Sequence, residues 1–306
     1  MRSVQVLNGE YGYEERVSKM VPSRAIGGSD RVAGQAKWKS RIIRVQGAAA
    51  MGTSKKFGCY SITIDGDDQD DQYELAVEHA LHRIESSYTG KVLLSAIRST
   101  NKAIQIIPYS DCICNAGTLP ADRAAASLRN QVVAIPYNDQ NACFIEYIKG
   151  TGTGCDEKVY FTPTVWGFGV RGACAKYAGA PGASPSLVLF HELAHAYRNA
   201  RGVSNSRPTT GTNILYDSTE EFFAIVLSNV LATDPTFDTA NRTLRADHDG
   251  GRPLAANLST SKGFVADTEN RKMMKELAYS ESCLVSALRG SKSTFNPFAE
   301  PLDNDG

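Results

Sequence analysis

The feature that most constrains this chain is an apolar stretch at 187–202, LVLFHELAHAYRNARG, which carries His191-Glu192-Leu193-Ala194-His195. On an α-helix, residues four apart share a face, so His191 and His195 can present two imidazoles to one ion with Glu192 beside them. Ser184-Pro185 supplies an N-cap and a proline for the first helical position, and Gly202 stands where a helix C-cap belongs. With Leu187-Val188-Leu189-Phe190 ahead of the motif, the helix is apolar enough to be buried. Two histidines and a glutamate inside such a helix are costly without partners, and a metal ion is a partner that satisfies all three. Core histidines paired within the protein are the bland alternative.

A catalytic zinc usually takes three protein ligands plus a water, whose pKa it lowers from about 15.7 to about 7. A neighbouring carboxylate can then take a proton from that water, which makes Glu192 the candidate general base. The extended pattern HExxHxxGxxH would need Gly at 198 and His at 201, but the chain has Arg198 and Arg201, so the metzincin arrangement is excluded. The third ligand is therefore sought on a following helix. Thr219-Glu220-Glu221-Phe222-Phe223-Ala224 opens a strongly apolar helical segment. Glu220 and Glu221 are both candidates, with Asp217 a competing acid, and one of the two glutamates can simply favour the helix N-terminus through its dipole.

Glu221-Phe222-Phe223-Ala224 resembles the zinc-binding helix of anthrax lethal factor, a glutamate-type zincin. The resemblance implies that Glu221 is the metal ligand and that Tyr216, a few residues upstream, assists the transition state, so Glu221 ranks first as ligand, Glu220 second and Asp217 third.

The charge pattern restricts the setting. Lysine plus arginine and aspartate plus glutamate balance at 33 each over 306 residues, yet residues 1–56 hold eleven of the basic residues against four acids. This leader has no apolar run of signal-peptide length, and no stretch approaches the roughly 18 apolar residues of a membrane helix. Trp38 is unaccompanied by an interleaved aromatic pattern, so nucleic-acid binding is not expected. The division read from these features is a basic flexible leader at 1–56, a catalytic domain at 57–290 and a polar tail at 291–306. The leader suits either a translocation machine or a solvated tail. Seven cysteines without CxxC spacing read mostly as reduced thiols.

Along the catalytic domain, 59–64 alternates like a strand and runs into the acidic stretch 65–71, which lacks an EF-hand's ligand register and reads as a solvated turn. Residues 73–87 read as a helix with His79 and His82 on its surface, 88–90 as a break, and 91–98 as a short helix. Strands are expected at 102–108, 131–136, 142–149 and 158–163, with 111–127 mainly loop. The glycine turn 150–154 is no phosphate loop, since no Gly-Lys-Ser/Thr follows. Residues 159–162, ended by Pro163, form a candidate edge strand for pairing with a peptide substrate. The glycine-bearing 165–183 would rim the cleft. Beyond the second helix, 234–267 reads as irregular, with His248 either a solvated loop histidine or an oxyanion contact, and 268–288 reads as one helix.

The run Ile84-Glu85-Ser86-Ser87-Tyr88-Thr89-Gly90-Lys91-Val92-Leu93-Leu94, the strand 104–108, the Gly-Thr-Gly-Thr-Gly turn before Val159-Tyr160-Phe161-Thr162-Pro163, and the HELAHAYR helix occur in an order that resembles one family. It is the bacterial type III effector zinc metallopeptidases typified by NleD. The resemblance implies an α+β, zincin-like domain, a small mixed sheet with the HExxH helix and a following glutamate helix. It implies one Zn2+ per chain on His191, His195 and Glu221, with Glu192 activating water. It further implies secretion without a signal peptide, with a secretion chaperone as an expected partner, and cleavage of a host kinase or other signalling protein in the host cytosol. An antibacterial metallopeptidase toxin, an inactive zinc-stabilised binding module and a structural protein with core histidines are the alternatives.

Overall fold

The structure is a computed structural model, and it describes residues 54–66, 71–108, 116–121, 129–137, 142–150, 152–166, 179–209, 215–237, 242–248 and 252–302, with 129–137 and 142–150 described by their backbone alone. The leader up to residue 53, Cys112, Cys114, Cys174, the acidic residues 67–70 and most of the glycine-bearing loop lie outside the described residues.

A five-stranded mixed sheet has the order β1 (Lys55–Lys56), β2 (Ile62–Ile64), β3 (Ile104–Ile107), β7 (Glu157–Tyr160), β4 (Gly117–Pro120). β2, β3 and β7 run parallel, while the outer strands β1 and β4 pair antiparallel to their neighbours. Alternation puts Ile62, Ile64, Ile104, Ile106 and Val159 in the core. β5 (Arg129–Tyr137) and β6 (Ala142–Gly150) form a separate antiparallel hairpin, on the two segments expected as strands.

α1 (Asp71–Ser86) buries Tyr73, Val77, Ala80, Leu81 and Ile84 at helical spacing, and His79 and His82 stay exposed as expected. α2 (Tyr88–Ser99) starts at Ser87, whose side chain accepts from Gly90 N. The expected break at 88–90 is thus one residue long, and Thr89 is held inside α2 by hydrogen bonds of its N–H and hydroxyl to Asp234 Oδ2. α3 (Pro185–Arg201) and α4 (Thr219–Ala232) are the central helices; α3 packs on α1, α2, α4, β4 and β7. α5 (Ser261–Ala266) lies in a stretch read as irregular.

The C-terminal helix expected at 268–288 is two, α6 (Thr268–Ser280) and α7 (Ser282–Leu288). They meet at Glu281, whose carboxylate is drawn inward to Arg198 and Tyr197. The segment assigned to a polar tail contributes Phe295, Phe298 and Leu302 to the core, so up to Leu302 it is part of the folded domain. No described helix is long and apolar enough to cross a membrane.

Two differences bear on the site. The expected edge strand at 159–162 overlaps β7, which is interior, between β3 and β4. The end strand beside it is β4, inside the stretch read as loop, because four residues ending in Pro120 are too few to show alternation.

Candidate metal centre

α3 has the caps its sequence calls for: Ser184 accepts from Leu187 N, and Gly202 adopts φ 69° with its N–H on the carbonyls of Arg198 and Asn199. The glycine turn seats that end of the helix. Gly152 N donates to Gly202 O at 2.7 Å, and a Cβ on Gly154 would stand 1.9 Å from Ala200 O, so only glycine permits this backbone-on-backbone contact.

α4 begins at Ser218, whose hydroxyl accepts from Glu221 N. Capping there directs Glu220 and Glu221 toward α3. The result is a cluster of His191, His195 and Glu221, one ligand atom from each lying within 4.8 Å of the others. His191 Nε2 is 3.1 Å from His195 Nε2 and 3.1 Å from Glu221 Oε2, and His195 Nε2 is 3.4 Å from Glu221 Oε1. Tetrahedral ligands held at about 2.0–2.1 Å from an ion stand roughly 3.3–3.4 Å apart, so the spacing fits a zinc-sized ion. The donor set, two imidazoles and a carboxylate, fits zinc as well. Glu221 Oε2 is buried and accepts no hydrogen bond despite its nearness to His191, as expected of atoms aimed at a common point rather than at each other.

Electrostatics sharpen the picture. Burial, with Arg245 adding to it, pushes His191 down to about 3. Burial also works against a charge on His195, but Glu221, Glu220 and Glu192 together outweigh it and the ring is raised well above the ordinary range. Burial would raise Glu221, yet the two imidazoles hold it far below the usual carboxylate range. With protons alone, one proton on His195 balances Glu221, and a cation bound here would displace it.

Glu192 is buried, and burial pushes its carboxyl up. Thr118 of β4 fixes it: the hydroxyl oxygen lies 3.0 Å from both Oε2 and the main-chain oxygen of Glu192.

The second-ranked ligand has another task. Both Glu220 oxygens lie 2.9 Å from Arg198 Nε, and Oε2 also accepts from Asn205 N, while His195 Nδ1 stands 3.7 Å from Oε1. Asp217, ranked third, pairs with His248 instead, Oδ2 to Nδ1 at 3.0 Å. Tyr216 is not brought to the cluster. Its ring packs edge-on to Phe222 at 5.0 Å, 4% exposed, and its hydroxyl makes no hydrogen bond with His191, His195 or Glu221. The tyrosine expected from the lethal-factor resemblance thus lies with the core in this structure, where the chain at 216 turns that side chain against Phe222.

The Peptidase_M91 family, described as effector protein, matches residues 60–252. The chain belongs to this family. A search of curated proteins finds no match. The matched stretch contains the three donors, Glu192, Thr118, Asp217 and His248, and the family is one of effector peptidases, whose substrate is protein.

Sequence reasoning missed Thr118, Arg198 and the pairing of Asp217 with His248. Arg198 left a signal, falling seven residues after His191 on the same helical face, a charge on a helix whose apolar run predicts burial. Thr118 left none.

Proposed function

We propose that this chain is a zinc-dependent endopeptidase with a zincin-like catalytic domain, a secreted bacterial effector that cleaves signalling proteins inside a host cell. The observation that carries the reading is the convergence of His191, His195 and Glu221 from two helices, beside a buried Glu192, in a member of an effector peptidase family. In it, His191, His195 and Glu221 hold one Zn2+, and the basic leader 1–56 serves secretion without a signal peptide, with a chaperone as partner.

A bound zinc ion would supply Lewis acidity toward the scissile carbonyl and toward the attacking water. Glu192 takes a proton from the water as its oxygen adds to the carbonyl carbon, and returns a proton to the amide nitrogen as the C–N bond breaks. Burial keeps this carboxyl from being a weak base, and the Thr118 hydroxyl, within reach of both Oε2 and the main-chain oxygen of Glu192, tethers it to β4. Because Thr118 is on β4, a peptide extended along the outer side of that strand would pass the base, which transfers the substrate-pairing role from 159–162 to Gly117–Pro120.

The test is sequencing of new protein N-termini in eukaryotic lysate treated with zinc-loaded wild type or Glu192→Ala. Wild type alone should create new termini, with Glu192→Ala still binding one zinc and cleaving about 10²–10⁴-fold more slowly. Glu221→Ala should bind zinc more weakly. Equal cleavage by wild type and Glu192→Ala would refute the enzyme, and full zinc affinity in Glu221→Ala would refute the ligand set.

A further inference from the structure

Two separate elements go to some length to place one imidazole at the rim of the cluster. His248 lies on a loop that returns to the start of α4, where its N–H donates to Leu215 O. The loop is tied to α4 itself: Asn229 accepts from Arg245 N and donates to Arg245 O, both at 2.8 Å. The Arg245 guanidinium folds back to donate to the carbonyl oxygens of Asp247 and His248. On the other side stands Asp217, in the left-handed region at φ 60°, a conformation that non-glycine residues rarely adopt and that concentrates at functional sites.

The ring that these contacts hold has a distinct position. Its Nδ1 meets Asp217 Oδ2 at 3.0 Å, and its Nε2 is 3.7 Å from Glu221 Oε1. It lies nearly parallel to the His191 ring at 6.4 Å, yet it is not among the donors that fall within 4.8 Å of one another. It therefore stands beside Glu221 at the edge of the three-donor group without being one of the three, where it can reach a group bound next to them. Its side chain is 46% exposed, so a substrate can reach it. A solvated loop histidine needs neither a strained aspartate nor a doubly anchored loop.

We infer that His248 is a catalytic residue of the peptidase proposed above, acting as an imidazolium whose Nδ1–H is donated to the positioning residue Asp217 and whose Nε2–H is donated to the scissile carbonyl oxygen as that oxygen gains negative charge. The inference rests on that peptidase reading. It supplies, from the loop after α4, a transition-state contact where Tyr216 is packed against Phe222.

The experiment uses the zinc-loaded full chain on a mixed-sequence library of quenched peptides, with Glu192→Ala as blank. His248→Ala should lower apparent kcat about 10²–10³-fold with little change in apparent KM, the loss expected when one oxyanion donor is removed. His248→Gln, a neutral donor, should recover part of it. Asp217→Asn, which keeps the backbone conformation accessible, should cost about 10-fold. Zinc content should remain one per chain in each variant, and the visible spectrum of the cobalt(II) protein should be unchanged by His248→Ala but altered by Glu221→Ala. A wild-type kcat in His248→Ala overturns the inference, as does a changed cobalt spectrum, which would make His248 a ligand. Wild type no faster than Glu192→Ala sinks the peptidase reading and this inference with it.

Discussion

Glu220 and Glu221 are neighbours on one helix turn, yet they face opposite worlds. Glu220 looks to the closed side of the site, where Arg198 spans it and Glu281, Tyr197 donates to Glu281, and Asn205 N–H takes a remaining lone pair. Glu221 looks to the open side, where two imidazoles share it, one of its oxygens is left without a hydrogen bond, and His248 stands at the rim. Burial would raise the carboxyl of Glu220, but Arg198, His195 and the Asn205 N–H together outweigh it and the net shift is downward. The lesson is that a satisfied carboxylate is spent on structure, while an unsatisfied one is available to a ligand. Residue type decides nothing here; partners do.

The largest way to break the contrast is Arg198→Met. The guanidinium is 1% exposed, lies over the Phe223 ring at 4.9 Å, and also donates to Val203 O. Its loss strands two buried carboxylates, Glu220 and Glu281, and should destabilise the fold by about 3–5 kcal/mol. Urea unfolding of wild type and variant checks this; an unchanged midpoint would mean that the closed side does not hold α3 to α4 and α6. Adding Glu220→Gln and Glu281→Gln to Arg198→Met should restore much of the stability, because no buried charge is then left alone.

A second, smaller effect comes from a carboxylate with no cation. Glu157 of β7 accepts from Cys155 Sγ and from Asn199 Nδ2 next to Arg198, and burial pushes it up to about 7. A folded-state pKa above the unfolded one means that the folded state binds the proton more tightly, so its contribution is fully present below about 4.5 and is lost as pH rises through about 7. Wild type should therefore lose roughly 1–3 kcal/mol between pH 5 and pH 8. Glu157→Gln should flatten that slope, as followed by urea midpoints at both pH values. A slope surviving in the variant would assign it to another group.

The legible part of the molecule was local. Caps and apolar spacing announce α3 and α4, and the histidine spacing with the capped glutamates announces the three donors, because a helix converts sequence interval directly into position. What was illegible depends on chain return. β4 is an end strand only because β7 lies beside it, and Arg198 is neutralised by residues 22 and 83 positions away. Nothing in Gly117-Thr118-Leu119-Pro120 foretells that neighbour. The lethal-factor likeness implied Glu221, which the structure brings beside the two imidazoles, and Tyr216, which it turns against Phe222, since a motif carries a position on a helix more faithfully than the direction of a side chain on the preceding turn, which the local backbone sets.

The mildest prediction concerns the boundary between the two sides. Thr118 belongs to the sheet, but its hydroxyl is directed at the base of the open side. Thr118→Val keeps the shape and the strand propensity and removes the proton that orients Glu192 Oε2. Zinc binding and fold stability should barely change, since Glu192 is not one of the three donors. Apparent kcat should fall about 10-fold, in the range typical of losing an outer contact to a functional group. Thr118→Ser restores the hydroxyl and should restore the rate. A valine variant as fast as wild type would show that burial alone orients Glu192; a serine variant as slow as valine would show that the methyl group on β4 matters instead. Either result would move the boundary, because the sheet would then support the base by packing, as the closed side supports Glu220, rather than by a hydrogen bond aimed into the site.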